Sequence, residues 1–219
     1  MFESVLNTSI LKRAQQKGLV EYELINLREF GTGAHKIVDD SPYGGGAGMV
    51  LKADILAEAV REVKSQKLKV KSQKVKTILT SASGSTYTQS KARKFASEEE
   101  DLIIICGHYE GVDQRFIDKY VDEEISIGDY VLTGGELPAM ILADSITRLI
   151  TGVLEKEGAT ENESHENGLL EHPHYTRPEE FEGLKVPEVL VSGNHKKIAE
   201  WRQEESIKKT KKVRPDLLK

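Results

Sequence analysis

The strongest constraint in this 219-residue sequence is its rhythm: through residue 150, apolar segments of strand length alternate with segments of helical period. Thr77 to Ser81, Asp101 to Cys106 and Glu123 to Ile127 are short and apolar. The second carries Leu102-Ile103-Ile104-Ile105, the unbroken run expected of a strand covered on both faces. Between and around them, Lys52 to Val63, Gln89 to Ala96, Val112 to Lys119 and Glu136 to Ile150 read as helices, the last with Pro138 in its first turn. Phe2, Leu6 and Ile10 recur every four residues, so residues 2–16 are also expected to be helical. Leu19 to Leu27 alternates Val20, Tyr22 and Leu24 with Glu21 and Glu23 and reads as a strand. Lys64 to Lys76 holds six lysines and no acid and is expected to be an exposed loop. Strand–helix alternation of this kind specifies an α/β domain with a largely parallel sheet.

The pattern ends near residue 153. Residues 154–168 are polar with few core formers and read as a linker. Residues 169–219 form a small unit whose clear helix lies around Lys196 to Lys208. The expected organisation is therefore a domain over 1–153, a flexible linker over 154–168 and a small helical domain over 169–219. Residues 157–167 are expected to lack fixed structure without a partner.

Charge divides the chain in the same way. The whole carries −5, yet His195 to Lys219 holds nine Lys or Arg against four Asp or Glu, leaving −10 for the remainder. A basic tail on an acidic body suits a polyanion. The charged share of 31% and the lack of any apolar run of roughly 20 residues argue against a membrane protein. Met1 to Gly18 has no secretory pattern, and a single cysteine permits no internal disulfide, so a soluble cytoplasmic protein is expected.

In a parallel α/β sheet, ligands bind in loops beyond the carboxyl ends of the strands. Three loops qualify: Thr80 to Gly84, Gly107 to Gly111 and Ile127 to Gly135. Their glycines let backbone approach a ligand closely. Common nucleotide motifs do not fit. Gly44-Gly45-Gly46 lacks the Gly-Lys-Ser/Thr of a P-loop and does not make Gly-x-Gly-x-x-Gly after a strand. No Cys/His spacing reads as a metal site, and Cys106, at the end of an apolar strand, reads as a buried structural thiol.

Several longer strings are more specific. They are Tyr43-Gly44-Gly45-Gly46-Ala47-Gly48-Met49, Gly107-His108-Tyr109-Glu110-Gly111-Val112-Asp113, Ser126-Ile127-Gly128-Asp129-Tyr130-Val131-Leu132-Thr133-Gly134-Gly135-Glu136-Leu137-Pro138-Ala139, His172-Pro173-His174-Tyr175-Thr176-Arg177-Pro178 and Val191-Ser192-Gly193-Asn194-His195. In order and spacing they closely resemble the bacterial tRNA (guanine-N1)-methyltransferases, the TrmD family, over nearly the whole chain.

That resemblance implies a SPOUT α/β domain with a deep trefoil knot, an exception to the rule of unknotted chains, and a small helical C-terminal domain. It implies S-adenosylmethionine as methyl donor, held by Leu79, Thr80, Ser81, Gly84, Gly107, Tyr109, Glu110, Ser126, Ile127, Gly128, Tyr130, Leu132, Gly134, Gly135 and Pro138. It implies a homodimer with active sites shared between subunits, magnesium assistance, and tRNA as substrate, methylated on the guanosine just 3′ of the anticodon. Tyr43, Gly45, His174, Tyr175, Arg177, Asn194, His195, Arg202 and Lys208 match positions expected to meet RNA.

Guanine N1 is protonated at neutral pH, so a base must remove its proton as the methyl arrives, and a cation must answer charge developing on O6. The family's arginine falls on Arg148 and its aspartate on Glu163. Here the sequence departs from the family: Glu163-Ser164-His165 replaces Asp-Ser-Phe. Family members also open with a short apolar strand before Phe-Pro-Glu-Met-Phe, whereas this chain starts at Met1-Phe2-Glu3. It ends soon after Arg214-Pro215-Asp216-Leu217-Leu218, where relatives continue into another helix. From that resemblance the start is expected to be an internal methionine, and a missing strand would expose a sheet edge. These departures keep two other readings in view: a non-catalytic tRNA-binding relative, and a SPOUT methyltransferase with another RNA target.

Overall fold

The computed structural model describes residues 1–68, 74–98, 100–155 and 160–218. In chain order the regular elements begin with helices α1 (Phe2–Leu6) and α2 (Ser9–Gln16), a 3-10 turn (Leu27–Phe30), and the short antiparallel pair β1 (Asp39–Asp40) and β2 (Val50–Leu51). Next come α3 (Ala53–Leu68), β3 (Lys74–Thr86), α4 (Gln89–Ser97), β4 (Glu100–Cys106), α5 (Gln114–Tyr120), β5 (Glu123–Ser126) and α6 (Glu136–Thr147). The hairpin β6 (Glu180–Phe181) and β7 (Leu184–Lys185), then α7 (Glu188–Val191), α8 (His195–Val213) and a 3-10 turn (Pro215–Leu218), complete the chain. It parts into two compact units, Met1–Glu155 and Lys156–Lys219.

The first unit is built on a three-stranded sheet in the order β4-β3-β5, parallel throughout. Alternation along β4 explains how one strand serves two cores. Ile103 and Ile105 pack against Ile55, Leu56, Val60 and Phe116 from α3 and α5. Leu102 and Ile104 face the other way, onto Phe95, Leu142 and Ile146 from α4 and α6. Successive side chains leave a strand on opposite faces, so covering both faces demands the apolar run seen in the sequence. At about 0.8 kcal/mol per buried methylene, these clusters are the main reason the sheet holds.

One irregularity positions the ligand loops. Thr80 pairs with Ile125, and Ser85 pairs with that same residue, so Ser81–Gly84 is looped out of register. Gly84 closes the loop directly on β5: a Cβ there would lie 2.5 Å from the Ile125 nitrogen. Two tyrosines fix α6 from outside the sheet. Tyr22 hydrogen-bonds Thr147, and Tyr87 lies 2.7 Å from the Ser145 hydroxyl.

Three expectations need correction. Leu19–Asn26 makes no strand. Its alternation is genuine, but a strand needs a partner's backbone, and Leu24 and Ile25 are left exposed instead of forming a buried face. The first helix is two, separated at Asn7 and Thr8, with Ser9 at φ +50. The lysine-rich stretch is partly regular: α3 runs on to Leu68, and Lys74–Lys76 already belong to β3, while residues 69–73 lie outside the described residues.

In the second unit, α8 carries Thr210 on its buried side. The Thr210 hydroxyl donates to Ser206 O at 2.7 Å and accepts from Leu170 N at 2.8 Å, pinning the incoming chain to the helix. Within the expected unstructured stretch, residues 157–159 lie outside the described residues. Residues 160–167 make turns, in which Glu166 N donates to Glu163 O and His165 N to Leu169 O.

Candidate functional site

The loop within β3 and the loops beyond β4 and β5 line an open cavity of about 510 Å³ in the first unit, within the range of small-molecule sites. Of the donor-binding residues read from the sequence, Leu79, Thr80, Ser81, Gly107, Tyr109, Glu110, Ser126, Ile127, Gly128, Tyr130, Leu132, Gly134, Gly135 and Pro138 all line it. Gly84 does not. Its role is the close approach to Ile125 that shapes the loop in front of it.

The walls are held by bonds that consume the side chains lining them. The buried Thr80 hydroxyl lies 3.1 Å from Ile105 O and 3.2 Å from Gly135 O, joining all three layers of the cradle. Gly135 N donates to Gly107 O at 2.8 Å. Glycine is required at Gly135, because a Cβ would meet the Thr80 hydroxyl and come within 2.6 Å of Gly107 N. Ser126 uses its hydroxyl on both the nitrogen and the oxygen of Gly128. Ser81 and Ser83 bond each other at 2.8 Å. The hydroxyls of Thr80, Ser81, Ser83 and Ser126 are thus engaged within the walls, which leaves the backbone around them to meet a ligand.

Sequence reasoning missed the main side-chain link. His108 Nε2 lies 2.7 Å from Glu136 Oε1, tying the loop after β4 to the start of α6. Both residues stand inside quoted motifs, but only the fold reveals the pairing. The glycine-rich segment Tyr43–Met49 abuts the same cavity through Glu110: its backbone nitrogen donates to Met49 O at 3.0 Å, and a Cβ on Gly48 would meet Glu110 Oε1 at 2.5 Å. Tyr43 itself is fully open to solvent. Cys106, at the end of β4, is no nucleophile. Burial, with Glu136 nearby, pushes its thiol up to about 12.

Among the described residues, the cavity lining contains the carboxylates Glu110 and Glu124 and no Lys or Arg. Such a wall opposes phosphate-bearing cofactors and suits a ligand with positive charge.

Arg148 is half-buried at the carboxyl end of α6, its nitrogen donating to Asp144 O at 3.1 Å. Glu163 lies in the second unit, half-buried at the start of the turns that lead to Glu171. Ser164 Oγ accepts from Glu171 N at 3.0 Å, linking that turn to the following loop.

The second unit has its own groove of about 660 Å³, lined by His174, Tyr175, Arg177 and Arg202 among the expected RNA contacts. Trp201 lies on its floor, 6.2 Å from the Tyr175 ring and 6.4 Å from that of His172. The other expected RNA contacts are placed differently. Asn194 spends its side chain capping α8, accepting from Lys197 N at 3.1 Å, so its visible role is structural. His195 opens that helix, and Lys208 is ion-paired with Glu205 at 2.7 Å.

Two expectations concerning metals change. Glu171, His172 and His174 present ligand atoms within 4.8 Å of one another, a group the sequence reading did not register. Magnesium prefers an all-oxygen octahedron, and nothing among the described residues supports it. Among those residues, no helix is long and apolar enough to cross a membrane.

The comparisons with known proteins agree with this geometry. The family model described as tRNA (Guanine-1)-methyltransferase TrmD matches residues 1–219. Curated proteins named tRNA (guanine-N(1)-)-methyltransferase are similar over the whole chain. The protein from Bacillus pumilus is 55% identical over 218 residues, covering 100% of this chain and 87% of its own length. That from Bacillus subtilis is 54% identical over 219 residues, with 88% of its length covered. That from Clostridioides difficile is 53% identical over 219 residues, with 93% covered. A match of this extent, on a chain whose loops build the expected cradle, shows that the protein belongs to the TrmD family of tRNA (guanine-1)-methyltransferases.

Proposed function

We propose that the chain methylates tRNA on N1 of the guanosine just 3′ of the anticodon, using S-adenosylmethionine. The observation that carries this reading is the glycine-walled cavity on the loops of the parallel strands, which bears carboxylates and, among the described residues, lacks Lys or Arg. When bound there, the donor supplies an electrophilic methyl group on a cationic sulfur. The residues that would hold it are those lining the cavity: Leu79 to Ser81, Gly107 to Glu110, Ser126 to Gly128, Tyr130, Leu132, Gly134, Gly135 and Pro138.

The protein's own chemistry is proton and charge handling at the guanine. Glu163 takes the N1 proton, offering a carboxylate where the family has an aspartate. Its extra methylene changes its reach, and a misplacement of about 1 Å costs about a hundredfold, so the turn over 160–167 must place it. Arg148 answers the charge that develops on O6. The basic helix α8 and the Tyr175–Arg177 segment grip RNA, with Arg177 on phosphate and Tyr175 stacking. The same reading includes the trefoil knot in the donor domain, a cytoplasmic setting and a homodimer whose active sites combine both subunits.

The test uses methyl-labelled donor and two unmodified transcripts, with guanosine or adenosine 3′ of the anticodon. Label in the guanosine transcript alone is expected. Glu163→Gln should lower turnover by about a hundredfold or more while donor binding, read by calorimetry, is kept. Full turnover in that variant would overturn the base assignment, and tRNA retention without transfer by the parent would favour the binding-only relative.

A further inference from the structure

We propose that Glu171, His172 and His174 form a site for a divalent transition ion of the zinc class. The three ligand atoms lie within 4.8 Å of one another. For any three points so spaced, some position is no more than about 2.8 Å from all of them. Zinc bonds to imidazole nitrogen and carboxylate oxygen are about 2.0–2.2 Å long, so each side chain needs to move by only about 0.7 Å.

Local sequence explains the convergence. Pro173 restricts His172 to extended backbone, and the two imidazoles on either side of it lie with ring centroids 4.6 Å apart. His174 Nε2 already lies 2.9 Å from Glu171 Oε1, and an ion would replace the proton shared there. His172 Nδ1 lies 3.1 Å from the Pro173 carbonyl oxygen. With the proton on that nitrogen, the bond fixes the ring and leaves Nε2 its lone pair, as the outer bonds of metal-ligating histidines do.

Donor type selects the ion. Two imidazoles and one carboxylate suit zinc, nickel or copper, whereas magnesium and calcium seek oxygen. Nearby charge limits affinity. Lys209 Nζ sits 3.0 Å from Glu171 O, and Arg177 and Arg202 line the same groove. An ion held here would cross-link the segment that leads into Tyr175 and Arg177. All three ligands belong to the second unit, so the site needs nothing from the first.

The test is calorimetric titration of the chelator-treated full-length protein with zinc chloride, and with magnesium chloride in parallel, in the absence of RNA. One zinc per chain is expected, with at least tenfold weaker binding for His172→Ala, His174→Ala and Glu171→Gln, and no zinc displaced by millimolar magnesium. Cobalt(II) titration gives a second readout, because a tetrahedral site with imidazole ligands develops visible absorption that the double variant H172A/H174A should lose. Circular dichroism of each variant shows that it is folded. Zinc binding unchanged by these substitutions, or absent from the parent, would overturn the site. Neither outcome bears on methyl transfer, so this proposal and the functional one fail separately.

Discussion

Thr80→Val isolates the bond that holds the cradle together. The side chain is buried, and its hydroxyl faces both Ile105 O and Gly135 O. Valine keeps the shape and removes the donor. A single hydroxyl proton serves two carbonyls, so the loss is one hydrogen bond plus the cost of leaving buried carbonyl groups under-satisfied, about 1–3 kcal/mol. For a unit of this size that corresponds to a fall in melting temperature of roughly 3–9 °C. Circular dichroism is the suitable probe, because it follows the helices of the first unit, whereas the chain's one tryptophan, Trp201, belongs to the second. Loosening Gly135 should raise the KM for the donor while kcat at saturating donor is largely retained, the pattern of lost binding rather than lost chemistry. Thr80→Ser keeps the hydroxyl and should recover most of the KM effect. A valine variant that melts within about 1 °C of the parent, with unchanged KM, would refute the view that this hydroxyl is spent on the scaffold.

Two further outcomes follow from the same geometry. His108→Ala and Glu136→Gln should each weaken donor binding, by about tenfold or less because both side chains are partly exposed. The double variant should be no weaker than either single one; additive losses in calorimetry would show that the pair does not act as a unit. Cys106 should alkylate only on unfolding. Its folded thiol keeps its proton to about 12 whereas the unfolded one releases it near 9.0, so its contribution to stability is intact below 9.0 and is lost as pH rises through that window. Burial also raises the hydroxyls of Tyr22 and Tyr87, adding to the alkaline decline. Cys106→Ala should flatten the fall in melting temperature above pH 9, and an equally steep fall would refute the thiol's part in it.

What was legible in the sequence follows from what local pattern encodes. The run Leu102 to Ile105 declared a strand buried on both faces, and the glycines after β4 and β5 declared loops that backbone or ligand must approach. Fourteen of fifteen expected donor contacts line the cavity, because they sit on short loops whose place is set by strand register. Gly84 stands outside the lining, and the contact that requires a glycine there is with Ile125, forty-one residues away in sequence. Leu19 to Leu27 alternates like a strand, but alternation says nothing of whether a partner edge is supplied. The His108–Glu136 pair and the meeting of Glu171 with His174 depend on side chains brought together by folding, which no period reveals. Asn194 preceding a helix was a readable capping signal, and its place beside the basic tail drew attention to RNA instead.

The charge of the cavity sets a limit on how it can act. Glu110 and Glu124 favour a cationic ligand; under the proposed function, loss of the methyl group removes the positive charge from sulfur, so the same wall would hold donor better than product and assist release. It also opposes the reaction, because charge that is stabilised in the bound donor must be given up as the methyl leaves. Magnitude decides between these effects. At about 4 Å a pair of unit charges is worth roughly 4 kcal/mol near a protein surface but only about 1 kcal/mol in water. Glu110 is exposed and Glu124 half-buried, which keeps the interaction toward the lower figure. A preference near 1 kcal/mol is enough to bias donor over product severalfold without a serious barrier. The hydroxyls of Thr80, Ser126, Ser81 and Ser83 are bonded within the walls, so shape is fixed before a ligand arrives and little binding energy is lost to ordering. A rigid, mildly acidic cradle of this kind can orient a methyl donor. Among the described residues that line it there is no Lys or Arg to serve as a cation for O6, so under the proposed function that charge falls to Arg148 and the N1 proton to Glu163.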